Sequence, residues 1–492
     1  MKSHPNLDLR SELCLLISLA ALTASSLFFH ETGNRLLSTG VLFGLPVNAR
    51  ALSCDANVIG LTAGFAAVAF APGRFARLQR SPLFWAIFFI AQELLVALFF
   101  LTFHPLGNCA GTLFAQFCSG ASLAAFLTGC MGFARYCTFS RFRMLLSLSV
   151  VTTVAAAYGV LVMVAVKLPL LASFLTQIVL TALGALCFLR VLRFTDTSDS
   201  DDHAYPSEDL PLSGTARRPL LYFAFILLSY GVVFGFLHVI PLGLHAYQLP
   251  RVLPNLFGAT AAMALFVATI PKSEPTTALV WNRIYRVSFP FVTLAALLVP
   301  YTHADEFISA LTLVESAQFF FLALLITGCF VVCRTTGVGY THAFSTALLL
   351  YNLGFLAGSI AAGFIHDWVP LNSNTLGLAG IGVFFLLTLV TFNTNGDKYA
   401  KTAWGILPKE TPQALYNKRI VERCEELADA HKLTARERET LLLLAQGKRP
   451  KEISEIRTVS IATVRTQVQG VYSKLGVHSA DELNQLVRGK GH

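Results

Sequence analysis

Between Ser460 and Lys474, small polar and basic side chains recur on one side of a helical repeat: Thr463, Arg465, Thr466, Gln467 and Lys474. Hydroxyls, an amide and a guanidinium at that spacing are the donors and acceptors that read base edges and phosphates in a DNA major groove. The opposite side carries Val464, Val468, Val471, Tyr472 and Leu475 at three- and four-residue intervals, a stripe suited to a core. A second kind of chemistry lies far upstream. Glu93 and Glu315 sit deep in apolar stretches, with Gln92 and Gln318 beside them. A carboxylate in hydrocarbon costs about 2.5–3.5 kcal/mol on insertion scales, so each is a candidate ligand or proton site. The plainer reading is that such residues hold helices together by hydrogen bonds. His30 and His238 follow Leu27-Phe28-Phe29 and Phe234-Gly235-Phe236-Leu237, a faint echo between two halves. Gly354 and Gly358 read as close helix packing.

Other chemistries are missing. No phosphate-cradling loop, zincin pair, nucleophile elbow or kinase signature occurs, so no enzyme and no cofactor is expected. Ten cysteines fall mostly in apolar runs without a C-x-x-C pair and read as small apolar fillers.

The elements that must position these residues follow from composition. Of 492 residues, 54% are apolar and 13% charged, too few polar groups to cover a water-soluble chain of this size. Charge is concentrated in residues 394–492, which hold 17 Lys/Arg and 12 Asp/Glu. Upstream, twelve apolar runs are long enough to cross a bilayer, near 12–30, 52–71, 83–103, 109–134, 144–166, 170–192, 219–243, 252–271, 285–301, 306–333, 338–364 and 374–393. The first could be taken for a signal peptide, but it lacks a clean cleavage site and eleven spans follow. The spans divide six and six around an acidic, Ser/Thr/Pro-containing stretch, 194–218, with linker composition.

Loop charge sets the orientation. With the N-terminus inside, 16 Lys/Arg fall in inside loops and 4 outside, and basic residues favour the cytoplasmic face. Both termini are therefore expected in the cytoplasm, in a bacterial inner membrane.

The tail is a succession of capped helices. Residues 394–430 form a polar cytoplasmic linker in which Arg419 to His431 could be a short helix. Thr434-Ala435-Arg436-Glu437 is a capping box opening a first helix that Gly447 ends. Pro450 suits the first turn of a second helix, and Ser460 caps a third that Gly476 stops. Ser479-Ala480-Asp481-Glu482 opens a fourth. Four short helices with a tight turn between the second and third make a helix-turn-helix unit over 431–492.

Two resemblances add to this reading. Leu433-Thr434-x-Arg436-Glu437-x-Glu439, Gly447, Lys451-Glu452-Ile453, Val459-Ser460-x-x-Thr463-Val464-Arg465 and Tyr472-x-Lys474-Leu475-Gly476-Val477 closely resemble the LuxR/FixJ-type DNA-binding domain. That resemblance implies a recognition helix starting at the Ser-x-x-Thr-Val-Arg segment. The expected DNA-binding set is Lys451, Ser460, Thr463, Val464, Arg465, Gln467 and Lys474, with a homodimer through the fourth helix. Gln467, Pro450 and Ser454 stand where that family commonly has His, Asn or Ser, and Ala. The span count, central linker and termini, with 1–393 as one membrane domain, resemble the major facilitator superfamily, in which two six-helix halves rock about a site near the midplane. That family's G-x-x-x-D-[RK] loop reads here Ala71-Pro72-Gly73-Arg74-Phe75-Ala76-Arg77, basic but without the acid.

The expected fold is thus all-α, a polytopic bundle with a small helix-turn-helix tail. The expected function is a membrane-embedded one-component transcription regulator that senses a small molecule or membrane state and binds operator DNA. A secondary transporter with an autoregulatory tail is the alternative, and a plain membrane anchor a third reading.

Overall fold

The structure, a computed structural model, describes residues 9–37, 41–42, 45–46, 49–103, 106–165, 169–198, 217–244, 252–273, 275, 280, 287–298, 307–336, 338–368, 373–395, 423–445, 450–457, 459–479, 482–483 and 486–487. The chain divides into two compact units, Met1–Leu407 and Pro408–His492.

The first unit is helical. Its first half comprises α1 (Leu9–Leu37), α2 (Ala49–Phe70), α3 (Pro72–Leu78), α4 (Pro82–Leu98), α5 (Cys109–Gly132), α6 (Phe139–Ala165) and α7 (Leu170–Ser198). The second comprises α8 (Arg217–Leu244), α9 (Val252–Thr269), α10 (Phe289–Leu298), α11 (Phe307–Thr336), α12 (Tyr340–Trp368) and α13 (Ser373–Asn395). A two-stranded ladder, Val41–Leu42 against Leu45–Pro46, is the one exception among the described residues to the all-α expectation. Among the described residues, seven helices are long and apolar enough to cross a membrane, or eight if α2 and α3, bent by 97°, are counted as one span. Shorter apolar stretches, Ala224–His238, Asn255–Thr269, Phe289–Leu298 and Gly377–Leu389, occupy the places of the other four expected spans.

Helix pairing repeats between the halves. In the first, α1 packs on α6 and α7, α2 on α5, and α4 on α7. In the second, α8 packs on α12 and α13, α9 on α11, and α10 on α13. The halves meet through α2 with α12 and α6 with α9. This is the pattern of an internal repeat, and it supports the six-and-six division more directly than span counting does.

The bend after α2 is explained locally. Pro72 occupies the first turn of α3, a position that tolerates the missing N–H. Ser81 then caps α4, its hydroxyl accepting from the Phe84 N–H at 3.3 Å. Trp85 is fully buried and its indole donates to the Gln79 carbonyl at 2.8 Å. Around it pack Phe75, Phe84, Phe88, Phe89 and Phe188.

Three side-chain contacts join the halves at the ends the loop charges place inside. Gln79 donates to Thr341 at 3.3 Å. Phe142 stacks on Phe330 with centroids 4.2 Å apart. The buried Arg143 donates to the carbonyls of Ile270 at 2.5 Å and Val267 at 3.3 Å, where a guanidinium satisfies orphan acceptors at the end of α9.

Within the second half, α8 and α12 meet backbone to backbone. A Cβ on Gly235 would lie 2.0 Å from the Phe355 carbonyl oxygen, and one on Gly358 2.0 Å from that of Val232. The four-residue spacing of Gly231 and Gly235 against Gly354 and Gly358 is what such an approach requires.

The second unit has its own core. Residues 423–430 are helical and form α14. They are followed by α15 (Ala435–Ala445), α16 (Pro450–Arg457) and α17 (Ile461–Leu475). Cys424, Leu427 and Ala428 pack with Leu433, Leu441, Leu444, Ile453, Val464, Val471, Leu475, Val477, Leu483 and Val487. The stretch 394–430, expected as linker, therefore contributes core at its far end. Residues 396–422 of it, and 199–216 of the expected 194–218 linker, lie outside the described residues. Helix α7 reaches Ser198 and α8 begins at Arg217, so helix also occupies both margins of the central linker.

Candidate functional site

The tail builds its outward face from caps and one buried arginine. The Glu437 carboxylate accepts from the Thr434 N–H at 2.7 Å, and the Thr434 hydroxyl accepts from the Glu437 N–H at 3.4 Å. That is the expected capping box. The same Glu437 oxygen takes the Lys474 ammonium at 2.7 Å, tying the start of α15 to the end of α17. The Lys474 ammonium, followed by the Thr434 N–H, holds the Glu437 carboxyl down at about 2. Ser460 caps α17, accepting from the Thr463 N–H at 3.1 Å. Gly476 closes it in the left-handed region, φ 68°, donating to the Tyr472 carbonyl. At Ser479 half of the expected box forms: the hydroxyl accepts from the Glu482 N–H at 3.1 Å, while the Glu482 carboxylate accepts from the His478 N–H at 2.8 Å.

Arg457 is the centre of the turn between α16 and α17. Its side chain is 5% exposed and pairs with Glu439 at 3.2 Å. One of its amino groups donates to Gln467 Oε1 at 2.7 Å and to Thr440 Oγ1 at 2.9 Å. Thr440 in turn donates to Gln467 Oε1 at 3.1 Å. One guanidinium thus fixes α15, α16 and α17 together. Sequence reading missed it, because Arg457 ends α16 and none of its partners is a local neighbour.

The residues expected to bind DNA differ in their exposure and partners. Val464 is fully buried and packs in the core of the unit. Gln467 is half-buried and its carbonyl oxygen is spent on Arg457 and Thr440, so that oxygen orders the turn. Lys474 is exposed yet paired with Glu437. Ser460 has its hydroxyl engaged in the cap. Lys451 lies in α16, with its side chain outside the described residues. Thr463, Arg465 and Thr466 stand exposed on the first turns of α17, and Arg465 has no ion pair among the described residues. The face that remains is small, polar and led by one guanidinium, fit for a bidentate contact to a guanine edge.

The membrane unit separates its two carboxylates. Glu315, on α11, is buried and lies 3.9 Å from His238 Nδ1 on α8. One turn on, Gln318 donates to the Tyr351 hydroxyl of α12 at 3.1 Å. Glu93, on α4, is half-buried, and its polar neighbour is Thr181 of α7. Gln92 Oε1 is buried without a hydrogen-bond partner among the described residues. The carboxylates therefore occupy separate sites in separate halves. The side chain of His30 lies outside the described residues. The described cysteines are free thiols, buried or half-buried.

Comparison with known proteins follows this division. Residues 431–487 match the family described as bacterial regulatory proteins, luxR family. The human organic anion transporter MFSD10 is similar in structure, with a TM-score of 0.55 at 14% identity over 77% of this chain and 100% of that one. A POT family transporter in complex with a thioalcohol-conjugated peptide gives 0.50 at 13% identity over 78% and 96%. No curated protein matches the chain. The chain thus joins a LuxR-type helix-turn-helix DNA-binding domain to a multi-pass membrane part with a major facilitator-like fold.

Proposed function

We propose that this protein is a membrane-embedded one-component transcription regulator and not an enzyme. The observation that carries the reading is the α17 face, where Thr463, Arg465 and Thr466 stand exposed over a core and a buried Arg457 that fix their placement. The loop charges support an inner-membrane protein with both termini in the cytoplasm, where a DNA-binding tail can reach its operator. The tail acts as a homodimer, and the membrane part senses a small molecule or membrane state. A ligand can act only by binding two conformations with different affinity. The inter-half contacts of Gln79, Phe142 and Arg143 supply an element that is made in one arrangement and broken in another.

The test is transcriptional. Deleting the gene should change a small set of transcripts, and restoring the full chain should reverse the change while the Arg465→Ala chain should not. An Arg465→Ala chain that restores every transcript would overturn the reading. Secondary transport is the second reading, favoured by the transporter names of the similar structures. Substrate uptake into vesicles by a chain lacking the tail would support it.

A further inference from the structure

Polar contacts fix how α1 lies against α7. Ser18 donates to the Gly184 carbonyl at 2.9 Å. Further along α1, Ser25 shares a hydrogen bond with Thr181 at 2.9 Å and accepts from the Gln177 amide at 2.6 Å. Residue numbers rise along α1 as they fall along α7, so the two helices are antiparallel. Gly184 lets them come close, because a Cβ there would lie 2.5 Å from Leu22 Cγ.

That register sets two cysteines opposite each other. Cys14 lies four residues before Ser18, and Cys187 three residues after Gly184. Each is about one turn from the Ser18–Gly184 contact, on the same face of its helix and in the same direction. Cys187 accordingly has the Cys14 thiol as a hydrogen-bond neighbour. Both are free and half-buried, whereas Cys130, Cys137, Cys329 and Cys333 are buried. A disulfide needs Cα atoms about 4.4–6.8 Å apart, a separation that only closely packed helices supply.

The pair sits near the inner end of the membrane unit. Arg10 precedes Cys14 by four residues and Arg190 follows Cys187 by three, and loop charge places both arginines inside. Leu13 and Leu186, their chain neighbours, are exposed, so a small uncharged oxidant has a short path to the sulfurs from lipid or cytoplasm.

We propose that Cys14 and Cys187 form a reversible disulfide on exposure to a peroxide, and that this bond fastens α1 to α7 near their cytoplasmic ends. One thiolate attacks a peroxide oxygen; the O–O bond breaks, the far oxygen leaves as water after taking a proton, and a sulfenic acid remains. The second sulfur attacks the first, the S–O bond breaks, and a second water leaves. Two thiols lose two electrons and two protons, and one hydrogen peroxide takes them up. Disulfides facing the cytoplasm are as a rule transient and redox-sensing. As an input to the sensing role the bond rests on the regulator reading above; its formation does not.

The experiment uses the full chain in lipid nanodiscs. It is reduced, exposed to hydrogen peroxide, alkylated and digested without reductant, and the peptides are weighed. The expected product is one Cys14–Cys187 link per chain, lighter by two hydrogens than the paired thiols and reversed by dithiothreitol. The linked chain should unfold at a higher temperature than the reduced one, because a cross-link restricts the unfolded chain. Cys14→Ser and Cys187→Ser should each abolish both the link and the shift. Peroxide that leaves both sulfurs open to alkylation, or oxidises them only to separate sulfinic acids, overturns the proposal. So does a link from either to a third cysteine or to a second chain. Operator binding and reporter output with and without peroxide test the regulatory reading separately: a link that forms and changes neither removes the sensing role and not the disulfide.

Discussion

Replacing Arg457 by alanine removes three bonds at once: the ion pair to Glu439 at 3.2 Å and the donations to Gln467 and Thr440 at 2.7 and 2.9 Å. Hydrogen bonds from a charged donor contribute about 1.5–3 kcal/mol each, and breaking a fully buried pair costs about 3–5 kcal/mol. The alanine variant should fall short of that sum for two reasons. The Glu439 side chain is 47% exposed and still has Arg436 at 3.4 Å, so its charge rehydrates. Thr440 keeps its bond to the Arg436 carbonyl at 2.8 Å. The expected loss is about 2–4 kcal/mol. That is a large share of the stability of so small a domain, at about 0.05–0.15 kcal/mol per residue. Arg457→Met keeps the buried stem and removes the charge, so it should lose about half as much. The assay is urea unfolding of residues 408–492 by circular dichroism, with operator affinity measured on the same samples below the transition. An alanine cost under 1 kcal/mol, or equal costs for alanine and methionine, would refute the assignment of Arg457 as the tie between the three helices.

Three further outcomes are expected. Glu437 is held at about 2 by Lys474 and the Thr434 N–H, below an unfolded carboxyl near 4.3; its stabilisation is complete above that unfolded value and fades as pH falls from about 5 towards 2. Urea midpoints of Glu437→Gln should accordingly show less acid dependence in that window, and a parallel profile would count against the pairing. Arg465→Ala should reduce operator preference by about 1–3 kcal/mol, while Lys474→Ala should lower stability at pH 7 and flatten the salt dependence by less than one log–log unit, because its ammonium is already shared; binding titrations on operator and scrambled duplexes read both. A tail beginning at residue 431 loses α14 and the burial of Cys424, Leu427 and Ala428, and should be less stable than one beginning at 408 by about 3–5 kcal/mol; equal denaturation midpoints would show that α14 is not part of the folded core.

Local signals were legible in the sequence and distant ones were not. The caps at Thr434, Ser460, Gly476 and Ser479 are written in short patterns, because each uses partners within four residues. Apolar spans were legible because apolar length is itself the physical requirement for crossing a bilayer, and seven or eight of the twelve expected are long enough among the described residues. The Arg457 hub joins residues 10 and 17 positions away, and Lys474 reaches Glu437 across 37. No periodicity reports such pairs. Val464 could be read on either side of α17 until the core fixed the helix rotation. Glu93 and Glu315 could be singled out by their cost in hydrocarbon, but only packing could set one beside Thr181 and the other beside His238. A short helix was legible within Arg419 to His431, but the charged residues of α14, Glu425, Glu426 and Asp429, hid its share in the core, where Leu427 and Ala428 are buried.

The glycine seam between α8 and α12 has a mechanical meaning. A contact made through backbone has no rotamers to reshuffle and no long side chains to take up slack. The two helices can therefore slide or stay locked, but they cannot splay gradually. His238 and Tyr351 ride on opposite members of this beam, each facing a partner on α11. A disturbance felt by either would be delivered to α11 by the pair together, as a lever moves its load and not as a spring absorbs it.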